Sequence, residues 1–505
     1  MSEIYSDLSA RVTVDGRIKN ANVGARLSEV ISIDLPCGGH GRCGKCKVRA
    51  VGELSPLSDS EEKFLTEEEK AGGIRLACSA RILGDCEIET LFEKRKEVIV
   101  TDGDMAEYSL LPTFDRYGVA IDIGTTTLAS RLYDREGNIL SEASALNPQS
   151  VFGADVISRI EASLAGNRAE LASLIRKGID SLISDMARSA SISAGDIDSA
   201  VITGNTVMLY LLTESSPEAL SHAPFEADRL FGETVSAGEL SLASLQGNAK
   251  IYLAPCIAAF VGADTVCALI AISPEDAESP SLTVDIGTNG EMAIFDGEGF
   301  SVCSTAAGPA FEGGGISCGM RGANGAIDKV SVVNGALASH VIGGSEAVGI
   351  CGSGLVDAAA CMLDLEIMDE SGYLEDDEVA LSDKVVLTQQ DIRMLQLAKS
   401  AINAGMLTLV SKSGVSVADV KHLYIAGGFG HYLNTSNAAR IGLIPKELLG
   451  RISVVGNAAL AGASMLLLDV SKREKAETLA KNTHSVELSG DKLFADLYMN
   501  GMMFE

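Results

Sequence analysis

Three stretches of the chain run from apolar residues into glycine. Val119-Ala120-Ile121-Asp122-Ile123 leads into Gly124-Thr125-Thr126-Thr127. Leu282-Thr283-Val284-Asp285-Ile286 leads into Gly287-Thr288-Asn289-Gly290, and Tyr424-Ile425-Ala426 into Gly427-Gly428-Phe429-Gly430. Short apolar runs stopped by glycine predict buried strands. The first two share Asp-Ile-Gly-Thr about 160 residues apart, an internal repeat that predicts one similar subdomain in each half. Helical stretches lie between the strands, as in an α/β domain. One helix opens at Thr388 with Asp391 three residues on, a capping-box pattern, and continues from Ile392 to Lys399.

Before Tyr117 the texture differs. The apolar-polar segment Cys86-Glu-Ile-Glu-Thr-Leu closes a first domain near Glu97. Residues 98–115 read as a linker, with turn or extended signals at Asp102-Gly103-Asp104 and Leu111-Pro112-Thr113. The domains expected are therefore 1–97, the linker 98–115, and two related subdomains, 116–280 and 281–505.

Charge narrows the function classes. Forty Lys and Arg stand against 69 Asp and Glu, a formal net charge of −29. Such a chain lacks the basic face that phosphate backbones or anionic lipids require, so neither a nucleic acid nor a membrane surface is an expected partner. The longest apolar run, Ile251 to Ala263, is too short to span a bilayer. MSEIYSDLSA has no apolar secretory core, so a cytoplasmic protein with reduced thiols is expected.

In that setting the 11 cysteines read as metal ligands or core residues before disulfides. Cys37, Cys43 and Cys46 fall within ten residues, and Cys78 stands apart. Three close thiolates and one distant are the plant-type arrangement for a [2Fe–2S] cluster. The glycines of Cys-Gly-Gly-His-Gly-Arg-Cys-Gly-Lys-Cys let backbone N–H groups turn toward the sulfurs. Zinc is the alternative, but a zinc ribbon wants a second C-x2-C pair, which is missing. Cys86 reads as a buried strand residue and His40 as a solvent-facing loop residue. Cys256, Cys267, Cys303, Cys318, Cys351 and Cys361 lack ligand spacing and read as core thiols. The cysteine pattern resembles the plant-type ferredoxins, and that resemblance implies a β-grasp fold.

No G-x-x-x-x-G-K-[ST] loop occurs, so phosphate chemistry must come from elsewhere. Each Asp-Ile-Gly-Thr turn offers backbone N–H groups and hydroxyls to phosphate oxygens. Asp122 and Asp285 at the strand ends can hold a hydrated magnesium ion. With the Gly427-to-Gly430 turn, these motifs resemble the acetate and sugar kinase, heat-shock chaperone and actin superfamily (ASKHA, ribonuclease H-like). The resemblance implies ATP and Mg²⁺. Gly124, Thr125 and Thr126 match its first phosphate motif, Gly287, Thr288 and Asn289 its second, and Gly427, Gly428 and Gly430 its adenosine motif. It implies that the connecting helices begin at Gly204-Asn205 and Gly456-Asn457. Asp264, at a helix start after Gly262-Ala263, matches a catalytic aspartate that orients water, or is a simple N-cap. Gly352 and Ser353 suit phosphate or ribose, or form a close-packed turn. Lys399 reads as an exposed lysine, with a contact to nucleotide as the alternative.

An α+β ferredoxin domain fused to a two-subdomain α/β ATPase is similar to the reductive activators of corrinoid-dependent methyltransferase systems. Ala307-Gly308-Pro309-Ala310-Phe311-Glu312-Gly313-Gly314, Gly349-Ile350-Cys351-Gly352-Ser353-Gly354-Leu355 and Asp391-Ile392-Arg393 to Ala398-Lys399 carry that resemblance. It implies a corrinoid protein partner, a low-potential electron donor, a homodimer, and ATP-dependent reduction of Co(II) to Co(I). Longer members have a further domain after the ferredoxin, for which the short linker leaves no room. A small-metabolite kinase with a redox-sensing domain is the rival reading. Activators of radical dehydratases lack a ferredoxin domain, and a purely electron-transferring protein would leave the phosphate motifs without purpose.

Overall fold

The computed structural model describes residues 9–31, 33, 35, 39–91 and 101–504. Cys37, the first expected cluster ligand, lies outside the described residues. The chain forms two units, one of residues 1–95 with 148–162, the other of 96–147 with 163–505.

The N-terminal unit is built on a five-stranded sheet in the order Arg17–Asn22, Ser9–Val14, Ile82–Thr90, Lys47–Leu54, Ile74–Leu76. Ser9–Val14 and Ile82–Thr90 run parallel in the middle, and the flanking pairs are antiparallel. Side chains alternate, so Ala10, Val12 and Val14 face the core while Ser9, Arg11 and Thr13 face out or lie part-exposed. Ser58 opens a short helix, Asp59–Phe64, with a capping box to Glu61. Glu61 is fully buried. Its carboxylate accepts Arg75 Nε at 2.7 Å, Arg75 Nη2 at 3.1 Å and Leu76 N–H at 3.1 Å. Burial alone would raise its pKa, but the guanidinium and the Ser58 and Leu76 N–H groups outweigh it and hold the carboxyl below the usual range. This bridge fixes the strand that delivers Cys78.

The C-terminal unit carries the repeat as topology. In its first sheet the order is Glu233–Ser236, Lys250–Leu253, Ile197–Gly204, Tyr117–Ile123, Thr127–Asp134, Ile139–Leu146. In its second the order is Ile452–Gly456, His422–Ala426, Ser281–Ile286, Gly290–Phe295, Phe300–Thr305, His484–Ser485. In each, the aspartate-bearing strand begins an antiparallel three-strand meander on one side and pairs with parallel strands on the other. Both strands are central and almost wholly buried, and both keep an aspartate near the C-terminal end. The capping box at Thr388 and Asp391 is present and opens a helix from Gln389 to Lys412.

The connecting helices differ in part from expectation. Gly456-Asn457 does open one, Ala458–Leu468, in which every residue is buried. The helix packed against it is Ala263–Ile272, not the one that follows Gly204-Asn205. Thr206–Leu212 has only seven residues and packs beside the long Arg168–Ser189 helix. Gly204 marks the strand end, but the strand Lys250–Leu253 must still be laid down before the chain crosses.

The described part of the expected linker is strapped to the C-terminal unit. Gly103 bridges to Gly456 and Leu111 to Asp469. Thr113 N–H and Oγ1 both donate to the Leu467 carbonyl at 3.0 Å, and Asn457 N–H donates to Asp102 O at 2.8 Å. Turn residues gave the segment no element of its own, yet several of its backbone groups are paired with the end of the Ile452–Gly456 strand and with both ends of the Ala458–Leu468 helix. Among the described residues, no helix is long and apolar enough to cross a membrane.

Candidate functional site

Two sites emerge, one in each unit. In the N-terminal unit, the loop before Lys47 carries Gly39, Gly41 and Gly44, all left-handed at φ 76°, 67° and 64°. At Gly44 a side chain would also meet Phe64, whose Cβ lies 2.9 Å from the place a Cβ would occupy. The loop brings Cys46 beside Cys78, both buried, and the Cys78 N–H donates to Cys46 Sγ at 3.5 Å. The neighbouring Cys78 sulfur, then burial, push the Cys46 thiol well up. Two crowded sulfurs with a backbone donor between them suit a cationic centre that holds both as thiolates. Among the described residues no three potential ligands converge on a single ion. A [2Fe–2S] cluster asks for pairs of thiolates on two irons, so Cys46 with Cys78 fits that need. Cys43 is part-exposed on the same loop. Cys86 is buried in its strand and His40 is exposed, as expected. Arg26, His40, Arg81 and Ser79 line an open depression that reaches Cys78.

In the C-terminal unit each phosphate turn is closed by the N–H of its glycine, the first turn being one residue longer than the second. Gly124 N–H donates to the Thr127 carbonyl and Gly287 N–H to the Asn289 carbonyl, both at 2.9 Å. Asp122 and Asp285 end their strands, and Asp264 lies in the first turn of the Ala263–Ile272 helix. The N-cap is Gly262, which has no side-chain bond to offer. Asp264 instead accepts its neighbour's N–H, from Thr265, at 2.7 Å. The simple N-cap reading therefore fails, and Asp264 stands with the other acids. Burial, then Asp264, then Asp285 push Asp122 up to about 8, while an Asn457 hydrogen bond at 3.3 Å opposes them. Burial, then Asp264 and Glu312, push Asp285 up to about 7, and burial pushes Asp264 up to about 6.

Glu291 completes the group and was missed in the sequence. It lies directly opposite Asp285 in the sheet register. Burial, then Asp264 and Asp285, push its carboxyl well above the usual range. A glutamate inside the apolar strand Gly-Glu-Met-Ala-Ile-Phe, one residue past a phosphate turn, was the available signal. Like charges facing each other across strands are destabilising, so four clustered acids call for a cation. Among the described residues no three of them converge closely enough to grip a bare ion. Thr288 Oγ1 is buried with no partner among the described residues, which a ligand oxygen would relieve. Gly427 has φ 87°, and a Cβ there would strike the Asp285 carboxylate. The adenosine turn can therefore lie against the second phosphate turn only as glycine. Gly428 and Gly430 follow it in the short Gly427–His431 helix.

Three expectations are corrected. Ser353 is buried, and its hydroxyl donates to the Asp328 carbonyl at 2.9 Å, so it has no proton for a phosphate. Gly352 is the close-packed turn, since a Cβ there would collide with the Phe311 carbonyl and lie 2.9 Å from the Phe429 ring. Lys399 is not exposed. It is fully buried, and its ammonium donates to the Gly501 carbonyl at 2.7 Å and the Met503 carbonyl at 2.5 Å. The Phe504 ring covers it at 4.7 Å, so the lysine fastens the C-terminal segment to its helix. The expected core thiols are buried except Cys318, which is part-exposed.

Comparison with known proteins gives the architecture a family. Residues 12–83 match the 2Fe-2S iron-sulfur cluster binding domain, 117–275 the RACo middle region, and 279–505 the C-terminal domain of RACo, the ASKHA domain. The chain is 30% identical to the corrinoid activation enzyme RamQ of Eubacterium limosum, with 94% of each chain covered. It is 27% identical to the Co(II) methylated amine-specific corrinoid protein reductase of Methanosarcina barkeri, over 72% of each. A solved structure, a reductive activator for a corrinoid, iron-sulfur protein, superposes with a TM-score of 0.72 at 27% identity, over 98% of both chains. A ferredoxin domain followed by an ASKHA unit, matched over nearly the full length, places this chain in the family of reductive activators of corrinoid proteins.

Proposed function

We propose that this protein reduces the Co(II) form of a corrinoid protein to Co(I), one electron at a time, and that ATP hydrolysis drives the transfer. The observation that carries the reading is the pairing, in one chain, of a thiolate loop with a two-lobed site whose opposed acids need a cation. Cys37, Cys43, Cys46 and Cys78 would hold a [2Fe–2S] cluster, which supplies a one-electron carrier at low potential. Asp122, Asp285 and Glu291 would hold hydrated magnesium, which neutralises phosphate charge. Gly124, Thr125, Thr126, Gly287, Thr288 and Asn289 would cradle the phosphates with N–H and hydroxyl groups, and Gly427, Gly428 and Gly430 would admit the adenosine. Asp264, which burial raises to about 6, would orient water and accept its proton.

The need for ATP is energetic. Plant-type clusters sit near about −400 mV, and the Co(II)/Co(I) couple lies lower. Each additional 100 mV costs about 2.3 kcal/mol per electron. Nucleotide-dependent gripping of the corrinoid protein would offset that by favouring a scarce, reducible cobalt state. The electron itself would come from a separate low-potential donor.

The test is anaerobic incubation with a Co(II) corrinoid protein and a low-potential reductant, with and without Mg-ATP, while the cobalt absorbance is followed. Co(I) is expected only with ATP, and neither Cys43→Ala nor Asp285→Ala should produce it. If several corrinoid partners stay Co(II) while the cluster reduces normally, the proposal is wrong.

A further inference from the structure

Thr126 lies in the first phosphate turn. Its Oγ1 donates a 2.7 Å hydrogen bond to Oε2 of Glu312, which belongs to the second lobe. The glutamate is held from its own side. It ends a short helical turn, Pro309–Glu312, flanked by Gly308 at φ 79° and Gly313 at φ 80°. Gly308 N–H donates to the Thr288 carbonyl at 2.9 Å, which ties this turn to the second phosphate loop. Glu312 is also close enough to help raise Asp285, after burial and Asp264. The Thr126 loop has separate anchors. Asn147 Nδ2 donates to the Gly124 carbonyl and Asn147 N–H to the Thr126 carbonyl, both at 2.8 Å. One hydroxyl–carboxylate bond therefore joins two loops that are fastened to different lobes.

We propose that Glu312 is a positioning residue that latches the lobes in the nucleotide-free state by occupying the Thr126 hydroxyl, and that a phosphate oxygen of ATP displaces it. This deepens the ATP site proposed above and rests on it. A hydroxyl has one proton to give. A phosphate oxygen and the Glu312 carboxylate compete for that proton, and two anions at one donor repel each other. Filling the first phosphate turn thus breaks the bond to the second lobe. Occupancy becomes lobe movement through a contact made in only one of the two states.

The two partners of an ordinary structural bond shift binding in the same direction when removed. The two partners of this latch shift it in opposite directions. The full chain is titrated with Mg²⁺ and a non-hydrolysable ATP analogue. Glu312→Ala should bind the analogue about five- to tenfold more tightly, because the competing acceptor is gone. Thr126→Val should bind about tenfold more weakly. Glu312→Gln keeps an acceptor without the charge and should fall between the wild type and Glu312→Ala. Amide exchange over 308–314 should quicken when the analogue binds the wild type, and should already be fast in Glu312→Ala. Equal weakening in the alanine and valine variants, or unchanged binding with unchanged exchange in Glu312→Ala, would overturn the latch while leaving the ATP site intact. Failure of the wild type to bind the analogue would overturn both.

Discussion

In the first lobe Asp122 stands opposite Ala129 across its hairpin, and in the second Asp285 stands opposite Glu291. The sheet orders around them match and the turns differ by one residue, and in this pair the chemistry of the copies parts. Asp122 receives a neutral donor, Asn457 Nδ2, from the other half of the repeat. Asp285 receives a second carboxylate and the nearby Glu312 instead. A duplicated fold can keep its backbone and divide its chemistry. The first copy holds an aspartate that is hydrogen-bonded and oriented, and the second concentrates negative charge where a cation would repay it.

The largest expected effect follows from that division. In Mg²⁺-dependent ATP hydrolysis, followed by phosphate release, Asp285→Ala should lower kcat by about 10³-fold, a full electrostatic loss. Asp122→Ala should cost about 10²-fold, because Asp285, Glu291 and Asp264 remain. Equal losses would mean that the asymmetry of the copies has no bearing on catalysis.

The first lobe can also be made like the second. Ala129→Glu places a carboxylate opposite Asp122 at a position that is 2% exposed. An uncompensated buried charge should destabilise the protein by about 3 kcal/mol, read as a lower thermal midpoint. Magnesium nucleotide should restore little of it, because the first lobe was not built around that second charge. Strong rescue would show that either lobe can host the cation.

The converse change is milder. Glu291→Gln keeps the shape and removes the charge facing Asp285. Without magnesium the variant should gain up to about 1 kcal/mol of stability, the size of a like-charge cross-strand pair. Its affinity for Mg²⁺ with nucleotide should fall about tenfold, as for a supporting ligand. A variant that loses stability without magnesium would show that Glu291 is held by contacts other than the cation.

How much of this was legible depended on whether the signal was local. Asp122, Asp285 and the turns after them were readable because an apolar strand, an acid and a glycine turn are adjacent in sequence, and the structure places both at central strand ends. The capping box at Thr388 was local in the same way. A glutamate in an apolar strand marked Glu291 locally, but its partner Asp285 needed the hairpin register, and the contacts of Asn457 and Glu312 needed the two lobes brought face to face. Lys399 was misread for a related reason. Its position on an amphipathic helix looked solvent-facing, and only the returning C-terminal segment, about a hundred residues later, covers it. Ser353 followed a glycine at a helix start, but that helix end is packed on Phe311 and Phe429 rather than open to a ligand.

The smallest effect is the dependence of stability on pH, and its sign is fixed by the same acids. Asp264, Asp285 and Asp122 are raised from an ordinary 3.8 to about 6, 7 and 8, with burial the first cause in each. A raised acid binds its proton more tightly in the folded chain than in the unfolded one. Its stabilising contribution is complete below about pH 4 and is lost as pH rises through the folded value. The depressed acids, Asp15, Glu61, Glu69, Glu239, Asp369, Asp469 and Asp491, titrate below their ordinary values and so add no slope above them. Between about pH 5.5 and about pH 8.5 the metal-free protein should therefore lose several degrees of thermal midpoint. Saturating Mg²⁺ with a non-hydrolysable nucleotide should flatten that slope, because the cation stabilises the ionised acids and binds more tightly as their protons leave. Asp122→Asn should flatten it more than Asp285→Asn, since Asp122 has the higher folded value, about 8 against about 7, and so goes on losing stability over more of this range. A metal-free midpoint that rises across this range would mean that the four carboxylates are not desolvated together, and the division of labour between the lobes would have to be redrawn.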